Sequence, residues 1–130
     1  MTPEVRAYLD KAAEDLADAR KIHAISLYKV AARCAYYVAF HAAEALLLAR
    51  TGRIAKTHRG VRSALSQVLS GEGREILTFL GQAYTFKEIS DYGIGRTSTV
   101  SEAEASALIE EAVRCLDQAT ALIAAGDSEA

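Results

Sequence analysis

Proline is nearly missing from this chain: Pro3 is the single one, and it stands where a helix begins. There its missing N–H removes no helical hydrogen bond. Glycine is sparse as well, eight in 130 residues, and runs of β-branched residues are few. Nothing in that composition favours sheet, so an all-helical chain is expected. The two cysteines, Cys34 and Cys115, lie far apart with no CxxC spacing. That pattern excludes a disulfide framework and points to buried thiols in a reducing, cytoplasmic compartment. Three scattered histidines, with no HxxxH and no cysteine partner, make no metal site, and no cofactor is expected. No long apolar run is free of charge. The longest, Ala31 to Ala49, contains Arg33, His41 and Glu44, which are costly in hydrocarbon, so no membrane span is expected. The acidic, amphipathic N-terminus is not a signal peptide. Gly93-Ile94-Gly95 follows no strand and is no dinucleotide fingerprint, and spacing suggests no Ser–His–Asp or Cys–His arrangement.

One absence is local. Between Glu44 and Glu72 there is no acid at all, while Arg50, Arg53, Lys56, Arg59 and Arg62 all fall there. The rest of the chain holds ten cations against seventeen acids, so a basic segment sits on an acidic body whose formal net charge is −2.

What is present is organised around Leu27 to Arg50, LYKVAARCAYYVAFHAAEALLLAR. It holds no Gly or Pro, is too long for a strand, and is apolar around most of a helical circumference. A surface helix needs only one apolar stripe, so this one should be packed on several sides. At about 100° per residue, Arg33, Tyr37, His41 and Glu44 share an arc of about 80°. They form a polar seam that should face a cleft or a partner.

The other helices follow from periodicity and caps. Thr2-Pro3-Glu4 starts the first, which buries Val5, Leu9, Ala12, Leu16, Ala19 and Ile22 and turns near His23–Ser26, with Ser26 as cap for the central helix. Thr51-Gly52 ends the central helix, and Thr57 caps a third from His58 to Leu69. A fourth runs from Arg74 to Tyr92, then a loop spans Ile94 to Val100. Ser101-Glu102-Ala103-Glu104 is a capping box for a fifth, which Gly126 should end, leaving a frayed tail. Short connections between amphipathic helices imply an up-and-down antiparallel bundle of four to five helices, in one domain over 1–130.

Three groups could carry chemistry. Arg53, Lys56, His58, Arg59 and Arg62 surround the start of the third helix. Cations there oppose the helix dipole, but free amides with Arg, Lys and His beside them make an anion site. The reading is a phosphate or RNA-backbone contact, against a solvated loop that keeps the protein soluble. The seam of Arg33, Tyr37, His41 and Glu44 is either functional or a set of satisfied core and interface groups that fix helix register. Tyr84, Lys87 and Asp91 share one face of the fourth helix, where Lys87 and Asp91 can pair at i, i+4.

YLDKAAEDLADAR, AYYVAFHAAEALLLARTG, KTHRGV and DYG, spread from about Tyr8 to Leu122, together resemble the small prokaryotic HEPN-domain proteins. The resemblance implies a helical bundle that dimerises and associates with nucleotides or RNA. It also implies a separate minimal nucleotidyltransferase as partner, in a toxin–antitoxin-like module. Active relatives are metal-independent ribonucleases that carry Arg, four to six residues, then His near a late helix. The chemistry is attack of a 2′-hydroxyl on the adjacent phosphate, with His moving the proton and Arg stabilising charge. Here the corresponding segment is Lys87-Glu88-Ile89-Ser90-Asp91-Tyr92, with Lys for Arg and Asp for His. Lys lacks the planar fork, and an ionised Asp repels RNA. Arg53 and His58 match Arg-x4-His in letters but stand in a loop and at the start of a different helix. The expectations are therefore a HEPN-type binding module, a ribonuclease using an atypical set (His41, His58, Arg33, Lys87, Asp91), or a dimer whose surface is its only function.

Overall fold

Five helices make up the regular structure of the described residues: α1 (Pro3–Ala24), α2 (Tyr28–Thr51), α3 (His58–Val68), α4 (Arg74–Tyr92) and α5 (Glu102–Glu129). The computed structural model describes residues 1–95 and 99–129. The expected loop from Ile94 to Val100 thus lies partly outside the described residues.

α2 packs against each of the other four helices, as its all-round apolarity requires. Seven of its buried residues are Ala (31, 32, 35, 39, 42, 43 and 45), which lets neighbouring backbones approach closely. Tyr36, Val38, Phe40, Leu46 and Leu47 fill the wider gaps. Leu65 from α3, Ile76 and Leu80 from α4 and Ile123 from α5 close the core around it. Each such side chain, once buried, contributes roughly 1.5–3 kcal/mol.

Caps set the helix ends. The Val5 N–H donates to Thr2 Oγ1 (3.2 Å), and Gly60 N–H donates to Thr57 Oγ1 (2.9 Å). Ser101 and Glu104 exchange two 3.0 Å bonds, the capping box read from the sequence. Gly52 closes α2 at φ +70°.

Two expectations need correction. Ser26 is not the cap of α2. Leu27 is, without a side-chain bond, while Ser26 sits at φ +66° as the turn residue and accepts from the Tyr28 hydroxyl (3.2 Å). Gly126 does not end α5, which continues to Glu129. The last turn is tethered: the N-terminal ammonium lies 2.9 Å from Asp127, and the Arg50 guanidinium lies against Gly126.

Candidate functional site

α3 and α4 are joined by a short turn, so they lie side by side with a cleft of about 500 Å³ between them. α3 contributes His58 and then Arg59, Arg62, Ser63 and Ser66, which recur at helical spacing along one face. α4 contributes Arg74, Leu77 and Thr78, again at i, i+3 and i+4. Three guanidinium groups, one imidazole and three hydroxyls therefore border the cleft, and no carboxylate lines it. Gly81 on α4 shapes this wall. A Cβ there would lie 3.2 Å from the Arg62 guanidinium, so Arg62 rests on the bare helix surface that glycine leaves.

None of Arg50, Arg53, Lys56, Arg59, Arg62 or Arg74 forms an ion pair among the described residues. Arg59, Arg62 and Arg74, uncompensated on an acidic body, concentrate positive potential along the cleft that they border.

His58 is the best-held group of the cleft. Its ring stacks on Tyr84 with centroids 3.9 Å apart and planes 14° apart. Its Nδ1 lies 3.0 Å from the hydroxyl of Tyr36 on α2. Tyr36 is 3% exposed, and burial pushes its phenol far above the usual range. Burial, and then the nearby Arg62, pull His58 below its ordinary value, so the ring is neutral at neutral pH.

Of the basic residues read from the sequence, His58, Arg59 and Arg62 come together here. Arg53 and Lys56 do not line the cleft. The Arg53 N–H donates to Thr51 Oγ1 (3.1 Å). Lys56 reaches α1, donating to the Tyr8 hydroxyl (3.0 Å), a bond that raises its ammonium above the ordinary value. Arg74 joins the cleft from the next helix, and Tyr36 and Tyr84 hold His58. The sequence reading did not include Arg74 or Tyr36 in the site and placed Tyr84 elsewhere. The available signals were a hydroxyl inside an otherwise apolar run, for Tyr36, and an Arg opening the helix after a short turn, for Arg74.

The seam of α2 is engaged at both ends by the protein's own acids. Arg33 Nη1 lies 3.3 Å from Asp91, which also holds Lys87 at 2.9 Å. The Lys87 bond, with help from Arg33, keeps the Asp91 carboxyl below its usual range. Lys87 also lies over Tyr84 (5.8 Å) and Tyr92 (5.9 Å). The Lys87–Asp91 pair is thus a closed ion pair at the segment where the resemblance placed Arg and His.

At the other end His41 sits between two carboxylates. Its Nδ1 is 2.7 Å from Glu44, and its Nε2 is 3.5 Å from Asp15 on α1. Glu44, 3% exposed, is the one buried charged side chain among the described residues. Asp15 Oδ2 accepts no hydrogen bond among the described residues, and burial raises the Asp15 carboxyl, a shift that His41 and Lys11 only partly offset. Tyr37 stacks on His41 at 6.1 Å. His41 makes no hydrogen bond, ion pair or ring contact with His58, Arg33, Lys87 or Asp91 among the described residues. The atypical catalytic set is therefore divided among separate clusters.

No group of three or more His, Cys, Asp or Glu among the described residues is arranged to hold a metal ion. Burial raises both thiols, Cys115 to about 12. None of the described helices is long and apolar enough to cross a membrane.

A family model for the HEPN domain matches residues 5–125. A protein of Gloeobacter violaceus, named "UPF0332 protein glr0978", is 34% identical over 95% of this chain and 99% of its own length. A UPF0332 protein of Archaeoglobus fulgidus is 37% identical over 70% of this chain and 74% of its own. A Methanocaldococcus jannaschii protein named "Putative toxin MJ0605" is 32% identical over 88% of this chain and 85% of its own.

Proposed function

This chain belongs to the HEPN-domain family, and on that premise we propose that residues 1–130 act as one HEPN-type module that binds the phosphates of RNA or of a nucleotide between α3 and α4. The observation that carries this reading is the cleft bordered by Arg59, Arg62 and Arg74, with His58 at its edge and no acid in its lining. Guanidinium groups suit phosphate because their planar forks match two oxygens at once. The hydroxyls of Ser63, Ser66 and Thr78 add neutral hydrogen-bonding groups beside them.

Anisotropy of a fluorescein-labelled single-stranded RNA titrated with the full chain tests the reading. Three phosphate contacts give a slope of log affinity against log salt of roughly −2. Charge reversal at Arg59 and Arg62 (Arg→Glu) should abolish binding while the circular dichroism spectrum stays helical. Equal affinity of the reversed and native chains would sink it.

The same reading includes partners. Tyr92, the last residue of α4, and Ile94, just after it, are 71% and 86% exposed, large side chains suited to docking. We assign them to a homodimer or to a minimal nucleotidyltransferase, as in a two-component module. Light scattering of the chain alone, and with a minimal nucleotidyltransferase added, separates the two.

The word toxin in the Methanocaldococcus relative's name favours a second reading, a metal-independent ribonuclease. That reading needs an ionisable acid or base beside the phosphate site. Growth arrest on overexpression, relieved by His58→Ala or His41→Ala, would support it. Normal growth at high expression would count against it.

A further inference from the structure

His58 has two ring nitrogens, and the fold treats them differently. Nδ1 meets the Tyr36 hydroxyl at 3.0 Å, and Nε2 has no hydrogen-bond partner among the described residues. We propose that the buried Tyr36 phenol fixes His58 in the tautomer protonated at Nε2, so that His58 serves the cleft as a hydrogen-bond donor to a phosphate oxygen and not as a proton acceptor. This rests on the phosphate-binding reading of the cleft and states how one of its residues works there.

What a buried hydroxyl can do decides the tautomer. Tyr36 is 3% exposed and its Oη has no hydrogen-bond partner besides His58 among the described residues. If Nδ1 carried the proton, it would donate to Oη, and the phenolic hydrogen would be left without an acceptor in the core. Buried donors are rarely left so. If the phenol donates, Nδ1 must be the acceptor, and a neutral imidazole then carries its proton on Nε2. The ring cannot rotate to exchange the two nitrogens cheaply, because it is stacked on Tyr84 at 3.9 Å and 14°. Its surroundings favour the neutral ring. Burial, and then Arg62, hold it below its ordinary value, Glu88 opposes them and Lys87 adds a smaller push in the same direction as Arg62, so the neutral form persists at neutral pH.

Two consequences separate this role from that of a general base. A base needs a free lone pair towards its substrate, and here the one lone pair is turned into the core against Tyr36. A donor needs an N–H free for an anion, which Nε2 offers because Nδ1 is taken by Tyr36, on a residue that borders the cleft with Arg59 and Arg62 and no acid.

Nitrogen-15 correlation spectra of the full chain at neutral pH read the tautomer directly, with or without ligand. Nδ1 should resonate as an unprotonated and Nε2 as a protonated nitrogen. A protonated Nδ1 would overturn the proposal. Tyr36→Phe keeps the ring in the core and should leave the helical spectrum intact. It should mix the tautomers and weaken binding of the labelled single-stranded RNA several-fold. His58→Gln, whose amide nitrogen reaches the Nε2 position, should retain most of the affinity. His58→Asn, which places its amide at Nδ1, should lose about tenfold, the worth of one charge-assisted hydrogen bond. Equal affinities for the Gln and Asn variants would refute the donor role. A native chain that binds no RNA, yet shows the Nε2–H tautomer, would refute the phosphate-binding reading and the donor role with it, and leave the tautomer lock standing.

Discussion

At the scale of single residues, polar side chains of α2 serve different ends, although they lie on one helix. Tyr36 uses its hydroxyl to hold His58 at the edge of the cleft. His41 Nδ1 lies 2.7 Å from Glu44, which is 3% exposed, and is the hydrogen-bond partner of that buried carboxyl. Removing His41 leaves that buried carboxyl without its hydrogen bond. His41→Ala should therefore lower the unfolding free energy by roughly 3 kcal/mol, measured by denaturant titration, whereas Glu44→Gln, which keeps the bond, should cost about 1 kcal/mol. RNA affinity of the folded His41→Ala fraction should be unchanged, because His41 does not line the cleft. For His58 the pH dependence has a definite sign. Unfolded, it titrates near 6.5, and folded, at a lower value. Between those values the unfolded chain holds the extra proton, so this group's contribution is complete above pH 6.5 and stability falls as pH drops below it. Thermal melts across that window should show a shallower acid-side loss for His58→Gln than for the native chain.

At the scale of elements, the cleft depends on how α3 meets α4. Gly81 lies inside α4, where alanine would favour the helix by about 1 kcal/mol. The added Cβ would meet the Arg62 guanidinium at 3.2 Å, and that exposed tip can move aside. Gly81→Ala should therefore raise the melting temperature by a few degrees, roughly what 1 kcal/mol gives a chain of this size, and weaken RNA binding by moving Arg62 off its seat. Melting and anisotropy measured on the same variant would expose an error in either half. The positions of α3 and α4 were legible from Thr57, Gly73 and the apolar spacing, because caps and periodicity are local. The pairing of Arg62 with Arg74 across the cleft was not, because it depends on the angle at which two helices pack.

At the scale of the whole molecule, α2 is the shared wall. It touches every other helix, so a defect in its core is felt everywhere. Leu46 is fully buried there. Leu46→Ala should cost about 3 kcal/mol, a large part of a total that is typically 5–15 kcal/mol. Because each helix leans on α2, far- and near-ultraviolet transitions should still coincide. Two separate transitions would mean that some helices are stable without it. The charge distribution belongs to this scale too. The body is acidic, the cleft is basic, and the formal net charge of −2 hides both.

Sequence alone determined the all-helical bundle, the central place of residues 27–50, most helix ends and the basic segment at the start of α3. These follow from composition, periodicity and capping, which act within a few residues. Tertiary structure alone decided which charges are spent and which remain available. Arg33 and Lys87 are closed on Asp91, and His41 is held between Asp15 and Glu44. Arg59, Arg62 and Arg74 border one cleft and form no ion pair among the described residues, although Arg74 Nε donates to the Ser70 carbonyl (3.2 Å). The physical reason is reach. A charge finds its partner within a few ångströms of space, and residues 33 and 91, or 15 and 41, become neighbours only once the helices have packed.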